Sequence, residues 1–212
     1  MEVPRAKPRA PRPSASVMLR KGNEILVCHR VSEVPSFPDY WAFPGGGVSR
    51  ADRAALDANP EWFQGRDEDE RAALVALMRE MVEEVGITPG TNGLQNINPE
   101  YRERILQDKS EWIRLVDEGV ISIEDDGFLV ISERTTPPFS PLRFRNHFFT
   151  IECNIEPSLH AGERPEFDDY RWATPRQLLD EWVANKIRLP PPLVMILREL
   201  LQDSMEGSIK RM

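Results

Sequence analysis

Glu80, Glu83 and Glu84 set three carboxylates within the stretch MREMVEEVGI, Met78 to Ile87. At about 100° per residue on a helix they fall inside an arc of about 100°, centred roughly 130° from the apolar stripe of Leu74, Leu77, Met78, Met81 and Val85. Like charges at i,i+3 and i,i+4 repel by roughly a few tenths of a kcal/mol per pair, and acids near a helix C-terminus oppose its dipole. A helix shaped by stability alone tends to place a Lys among them, whereas a bound divalent cation reverses the sign of the interaction. Magnesium takes oxygen ligands, keeps several waters, and is held by a few carboxylates together with phosphate oxygens of the substrate. The acidic edge therefore reads as half of a metal site; a solvated acidic face is the competing reading.

Upstream stands AFPGGG, a turn whose glycines let backbone approach a ligand closely, which makes Gly45, Gly46 and Gly47 candidate substrate contacts. No Gly-Lys-Ser/Thr follows them and no G-x-G-x-x-G opens a helix, so they count only together with the acidic helix. Arg143 and Arg145 flank Phe144 in LRFRNHFF. On a strand they point to one face, where their guanidinium groups serve either as grips for phosphate or as partners in surface salt bridges. The loop GERPEFDDYRW carries Glu163, Glu166, Asp168 and Asp169. His29, His147 and His160 share no metal-binding spacing and read as structural. Trp41, beside the glycine turn, is a core or interface anchor with a base-pocket role as the alternative.

These groups need elements to hold them. SASVMLRKGNEILVCHR reads as a β-hairpin turning at Gly22 and Asn23, and Tyr40 to Pro44 as a short strand. A long polar excursion separates that strand from a helix over Glu70 to Val85, which stops at Gly86 and Pro89. A second helix is expected over Pro99 to Glu118, followed by a hairpin in VISIEDDGFLVIS turned by Asp125, Asp126 and Gly127. LRFRNHFFTIECNI alternates as a strand, EFDDYRW leads into another, TPRQLLDEWVANK starts a helix with a Thr cap and Pro in its first turn, and a last helix runs from Pro191 to Gln202. Strands precede and follow helices without a β-α-β repeat. That favours a single α+β domain over residues 14–205, a mixed β-sheet between helices, with insertions near Ser49 to Glu68 and Asn98 to Asp126.

Composition sets outer bounds. The net charge of −8 disfavours broad nucleic-acid binding. The apolar runs are too short to span a bilayer. The two cysteines sit in apolar alternating stretches and read as reduced core residues, which fits a cytoplasmic or organelle-matrix address. Residues 1–13, basic and proline-rich, read as a disordered tail.

FPGGGV followed by REMVEEVGI resembles the core of the Nudix box: a Gly, a Glu, then Arg-Glu-apolar-x-Glu-Glu-x-Gly-apolar. The resemblance implies an α/β/α sandwich in which Glu80, Glu83 and Glu84 hold Mg²⁺ or Mn²⁺, with Glu80 and Glu84 in catalytic roles and Arg79 bracing the glutamates. Counting back from Arg79, the box Gly falls on Gly65 and its first Glu on Arg71, with Glu70 one place early, so that Glu is not carried over. The FPGGGVSRAD segment, TTPPFSPLRFRNHFF and the terminal LPPPL are similar to the coenzyme A diphosphatase-like branch, although Arg145 and Asn146 replace its usual Asp-Thr. The resemblance implies a metal-dependent hydrolase of a nucleoside diphosphate linked to another moiety, coenzyme A or acyl-CoA being favoured, with ADP-ribose, a dinucleotide or a nucleotide sugar as alternatives. Many relatives draw a further carboxylate from the late loop, and Glu166 is the first choice for a general base. A regulatory module that binds a nucleotide without turnover is the alternative of another class, and homodimerisation is open.

Overall fold

The structure, a computed structural model, describes residues 10–125, 127–140, 142–160 and 165–209. In chain order the elements are β1 (Arg12–Lys21), β2 (Glu24–Arg30), β3 (Trp41–Ala42), β4 (Gly45–Gly47), α1 (Arg50–Ala58), α2 (Glu68–Val85), β5 (Ile87–Gly90), β6 (Gly93–Asn96), α3 (Pro99–Gln107), α4 (Glu111–Asp117), β7 (Leu129–Thr135), β8 (Phe144–Glu152), β9 (Phe167–Ala173), α5 (Pro175–Val183) and α6 (Pro191–Ile209). Among the described residues no helix is long and apolar enough to cross a membrane.

Seven strands form one mixed sheet. Its path is β3-β2-β1-β8-β7, with β4 added to β1 and β9 to β2. β1 runs parallel to β8, and every other pairing in the sheet is antiparallel. On its other edge β1 is shared: Ser14–Ser16 pair with β4, and Arg20 and Lys21 pair with β2. The sheet forks there, and the fork brings the glycine turn under α2.

Alternation along the strands feeds two cores. Ala15, Val17 and Leu19 of β1, Leu26 and Cys28 of β2 and Phe149 of β8 face α2; Met18, Ile25, Val27 and Phe148 face α5 and α6. The α/β/α layering expected from the sequence is present, as is the β1–β2 hairpin, which turns at Gly22 with φ 61°. Cys28 and Cys153 are buried and free.

α2 has more than an apolar stripe. Residues Ala72 to Val82 are all buried, with Glu84 and Val85. The sheet covers one side of the helix, and the two insertions cover the other. Asp67 caps it by accepting from the Glu70 amide at 2.9 Å, Glu68, Asp69 and Glu70 favour its dipole, and Gly86 ends it in the left-handed region at φ 67°.

Several expectations need correction. β1 begins at Arg12, so the last two residues of the expected tail belong to the sheet. Arg12 N donates to Arg143 O at 2.9 Å, and Pro13, which has no N–H to give, accepts from Val48 N at 3.0 Å. The excursion after the glycine turn contains α1 and sends Trp62 and Phe63 into the core. The expected helix from Pro99 to Glu118 is broken in two. The Asp108 carboxylate accepts from the Ser110 amide and hydroxyl, a local bond that competes with helix continuation. The fold-back lets Ile105, Trp112 and Leu115 all bury. Among the described residues the hairpin expected around Asp125 does not form. Ile121 and Phe128 sink into the core instead of alternating, Arg66 holds Asp125 and the Phe128 carbonyl, and β7 pairs with β8. Asp126 lies outside the described residues. The β5–β6 hairpin was not expected, and α6 extends past Gln202 to Ile209.

Candidate active site

The last two turns of α2 border a small cavity of about 130 Å³. Glu80, Glu83, Glu84, Leu106, His160, Pro165, Glu166 and Phe167 line it. The three helix glutamates and Glu166 of the late loop, 82 positions beyond Glu84 in the chain, are thus brought together. Glu163 lies outside the described residues.

The glycine turn touches the glutamates themselves. Gly45 N donates to Glu84 Oε2 at 2.6 Å, and Gly47 O accepts from Arg79 Nη2 at 3.4 Å. Gly45 has φ 145°, and a Cβ there would strike the backbone of Ala15 and Ser16. A Cβ at Gly46 would lie 2.3 Å from Glu80 Oε1. The close approach that the sequence suggested for a ligand serves first to seat these carboxylates.

Arg79 organises the cluster. Its guanidinium is 1% exposed and spreads over three carboxylates. Nε and Nη2 reach the two Asp52 oxygens at 2.8 and 3.0 Å, while Nη1 reaches Glu80 Oε1 at 2.9 Å and Glu83 Oε1 at 2.8 Å. Burial works against its charge, but the Asp52 bonds and the charges of Glu80, Asp52 and Glu83 hold it protonated.

Asp52 was not singled out from the sequence. It belongs to α1, where Ser49 and Asp52 form a capping box: Asp52 N donates to Ser49 Oγ at 3.1 Å, and Ser49 N donates to Asp52 Oδ2 at 2.7 Å. Burial raises its carboxyl, yet the Arg79 bonds and charge outweigh that and leave it below the usual carboxylate range. A signal for it was present. The step of six that runs from Gly65 to Arg71 runs equally from Gly46 to Asp52. An acid therefore does stand at the box spacing from the true glycine turn, with the inserted loop between it and Arg79. Arg71, the position counted back, instead donates to the carbonyls of Trp62 and Pro60 at 2.9 and 2.6 Å and fastens that loop.

The electrostatics of the cavity are those of crowded anions. Glu84 is enclosed, its Oε1 is buried without a partner, and its carboxyl is pushed well up by burial and by the charges of Glu80 and Glu166. Glu80 is raised by burial and by Glu83, with Arg79 opposing. Among the described residues no three His, Cys, Asp or Glu side chains stand as a ready ligand set; Arg79 takes one oxygen each of Glu80 and Glu83, and Lys109 takes the other oxygen of Glu83. The unpaired buried oxygen and an all-carboxylate donor set fit a hard cation such as Mg²⁺ or Mn²⁺.

Glu166 stands at the cavity mouth, about half exposed, with Oε2 3.4 Å from Arg30 Nη2. Arg102, also missed in the sequence, reaches from α3 to the carbonyls of Glu83 at 2.9 Å and Ser158 at 2.5 Å and so closes the end of α2. Arg143 and Arg145 are not brought to the cavity. Arg145 pairs with Asp69 at 2.5 Å and Glu133 at 2.9 Å, eleven residues before Glu80 and so about 16 Å back along α2. Arg143 donates to Thr136 O at 3.3 Å. His29 is bound to Asp168 at 2.7 Å, His147 lies 3.3 Å from Glu133, and Trp41 stacks with Arg171 in the core against α5 and α6. His160 alone of the histidines lines the cavity.

The NUDIX domain model matches residues 10–191. A Caenorhabditis elegans protein described as nudix hydrolase 7 is 30% identical over 202 residues, which cover 90% of this chain and 61% of that protein. The chain therefore spans about three fifths of that relative. Among solved structures, a NUDIX hydrolase from Alicyclobacillus acidocaldarius superposes with a TM-score of 0.73 at 24% identity, covering 89% of this chain and 90% of that one. A MutT protein from Methanosarcina mazei Go1 gives a TM-score of 0.55 at 14% identity, covering 93% and 96%.

Proposed function

The chain belongs to the NUDIX domain family, and from that premise we propose that it is a divalent-metal-dependent hydrolase cleaving the phosphoanhydride of a nucleoside diphosphate linked to another group. The observation that carries this reading is Glu84. Its Oε1 is buried with no partner, beside a cavity shared with Glu80, Glu83 and Glu166. Such an oxygen costs on the order of 1–3 kcal/mol if nothing ever meets it. The catalytic α2 residues of the reading are Arg79, Glu80 and Glu84, and its metal ligands are Glu80, Glu83 and Glu84.

A divalent cation held there supplies charge neutralisation on the pyrophosphate and acidifies the attacking water. The chain does the rest. Asp52 fixes Arg79, Arg79 fixes the headings of Glu80 and Glu83, and the Gly45 amide fixes Glu84. Glu166, at the mouth, accepts the proton of the attacking water. The water oxygen bonds to one phosphorus, the bridging P–O bond breaks, and two phosphomonoesters leave. Leu106, Phe167 and Pro165 wall the cavity against bulk solvent.

The favoured substrate is coenzyme A or an acyl-CoA, cut to 3′,5′-bisphosphorylated adenosine and a phosphopantetheine. Its support is the likeness of TTPPFSPLRFRNHFF and LPPPL to the coenzyme A branch. The cavity is below the roughly 300 Å³ that encloses a drug-sized ligand. It admits the diphosphate, and the two ends of the substrate lie outside it. The two buried thiols support a reducing compartment.

Glu84→Gln tests the reading. Turnover falls about a thousandfold or more, while thermal stability holds or rises, because a crowded buried charge is removed. Unchanged turnover refutes the assignment. Coenzyme A, ADP-ribose, a dinucleotide and a nucleotide sugar are offered with Mg²⁺ or Mn²⁺, and products are weighed by mass spectrometry; inert coenzyme A beside an active dinucleotide or ADP-ribose removes the narrower substrate alone.

A further inference from the structure

The turn between α3 and α4 puts a lysine against Glu83, one of the carboxylates that line the cavity. The Asp108 carboxylate accepts from Ser110 N at 2.9 Å and Ser110 Oγ at 2.7 Å, and its carbonyl accepts from Glu111 N at 2.9 Å. These bonds fix the residue between, Lys109, whose Nζ lies 3.1 Å from Glu83 Oε2. On the same insertion Leu106 lines the cavity and Arg102 holds the Glu83 carbonyl. The insertion thus touches Glu83 at main chain and side chain.

Glu83 is neutralised twice, by Arg79 at Oε1 and by Lys109 at Oε2, and the two cations differ. Arg79 is enclosed and also gripped by Asp52. Lys109 is 51% exposed on a flexible four-carbon stem, and exposed ion pairs of this kind are weak and easily exchanged. A doubly charged ion on Glu83 repels an ammonium only a few ångströms away. An ammonium is also a compact point charge suited to phosphate, and the anhydride must enter this same cavity.

Resting on the reading that Glu83 and Glu84 hold a divalent cation, we propose that Lys109 is the counter-ion Glu83 gives up when that cation binds, and that the freed ammonium then grips a phosphate oxygen of the substrate. Lys109 is a substrate-positioning residue supplied by the insertion, and the exchange couples metal loading to substrate capture.

Mn²⁺ alone, titrated by electron paramagnetic resonance, tests the first half on the unsubstituted chain, Lys109→Met and Lys109→Arg, each with Glu83 intact and as Glu83→Gln. Lys109→Met binds Mn²⁺ about three- to tenfold more tightly, Lys109→Arg binds as the unsubstituted chain does, and the gain shrinks below about twofold beside Glu83→Gln, where there is no anion left to share. For the second half, steady-state kinetics use whichever of coenzyme A or ADP-ribose is turned over. Lys109→Met raises KM about tenfold with kcat within about twofold, and Lys109→Arg restores most of the loss. Unchanged Mn²⁺ affinity in Lys109→Met, or an unmoved KM, overturns the proposal. If the unsubstituted chain binds no Mn²⁺, the metal reading falls with it. Mn²⁺ binding that needs Glu84 but ignores Lys109 removes this inference alone.

Discussion

Asp52→Ala removes one side of a buried charge cluster, and its cost can be worked from the bonds lost. Arg79 gives up two charge-assisted hydrogen bonds, of 2.8 and 3.0 Å, to a carboxylate 2% exposed. Breaking one side of a buried ion pair costs roughly 3–5 kcal/mol. Glu80 and Glu83 stay on Nη1, so the guanidinium keeps compensation and the lower end, about 3 kcal/mol, applies. The same change takes the acceptor of Ser49 N and with it half of the α1 capping box, about 1 kcal/mol more. The expected loss is about 4 kcal/mol, which for a chain of this length lowers Tm by about 8–16 °C. Asp52→Asn keeps the shape and an acceptor, and loses about half as much. Urea midpoints and thermal melts measure both. The pH arm follows from the lowered carboxyl of Asp52. A group depressed in the folded state contributes stability above its unfolded value, about 3.9, and loses it as pH falls through the folded value. The gap between the unsubstituted chain and Asp52→Asn therefore holds from pH 7 to 5 and narrows below about pH 4. A loss under about 1 kcal/mol for Asp52→Ala, or a gap that widens in acid, refutes the brace.

Gly46→Ala sets a methyl against the Glu80 carboxylate; kcat falls about a hundredfold through misplacement of one ligand, and turnover within a factor of two of the unsubstituted chain shows that Glu80 can shift at no cost. Glu166→Gln leaves Tm unchanged because the side chain is half exposed, but lowers kcat by about 10²–10⁴; an unchanged rate means that the base lies elsewhere.

The layers of the fold could be read from periodicity because both cores obey it. β1 and β2 alternate between faces, and α2 carries caps and breakers at its two ends. The parts that could not be read are those where a side chain's tertiary partner overrides a local pattern. The segment 120–128 alternates well enough for a hairpin, yet Ile121 and Phe128 gain more by burial beneath the insertions. Ser110 stops a helix through one carboxylate two residues away. At the site, the shared edge of the helix glutamates was legible from their spacing, while Glu166, singled out through the resemblance, stands beside them on the same cavity. Lys109 and Arg102 were not legible, since each acts through an atom of Glu83 that a linear reading cannot place. Arg145 shows the reverse: of the two roles open to it, phosphate grip or salt-bridge partner, it takes the second, because Asp69 and Glu133 lie on the face to which the strand turns it.

Why the box survives being cut open by an insertion is a matter of magnitudes. Seven residues separate Arg71 from Arg79, the spacing counted back from the motif, whereas residues 53–78 separate Asp52 from the same arginine. Closing the longer loop costs only about 1 kcal/mol more, since loop entropy grows with the logarithm of length. Against that stand Leu56, Trp62 and Phe63, all within the insertion and all buried in the core against α2, each contributing roughly 1.5–3 kcal/mol on burial. Trp62 meets Trp112 of the second insertion edge to face at 6.1 Å, and Arg66 ties the first to Asp125 at the end of the second. The two insertions therefore stabilise each other over the outer side of α2 as well as the loop they lengthen. The same packing leaves the capped start of α1 against α2, where Asp52 meets Arg79, and holds the α3–α4 turn where Lys109 meets Glu83. The two inserted segments have thus become the support of the α2 glutamates.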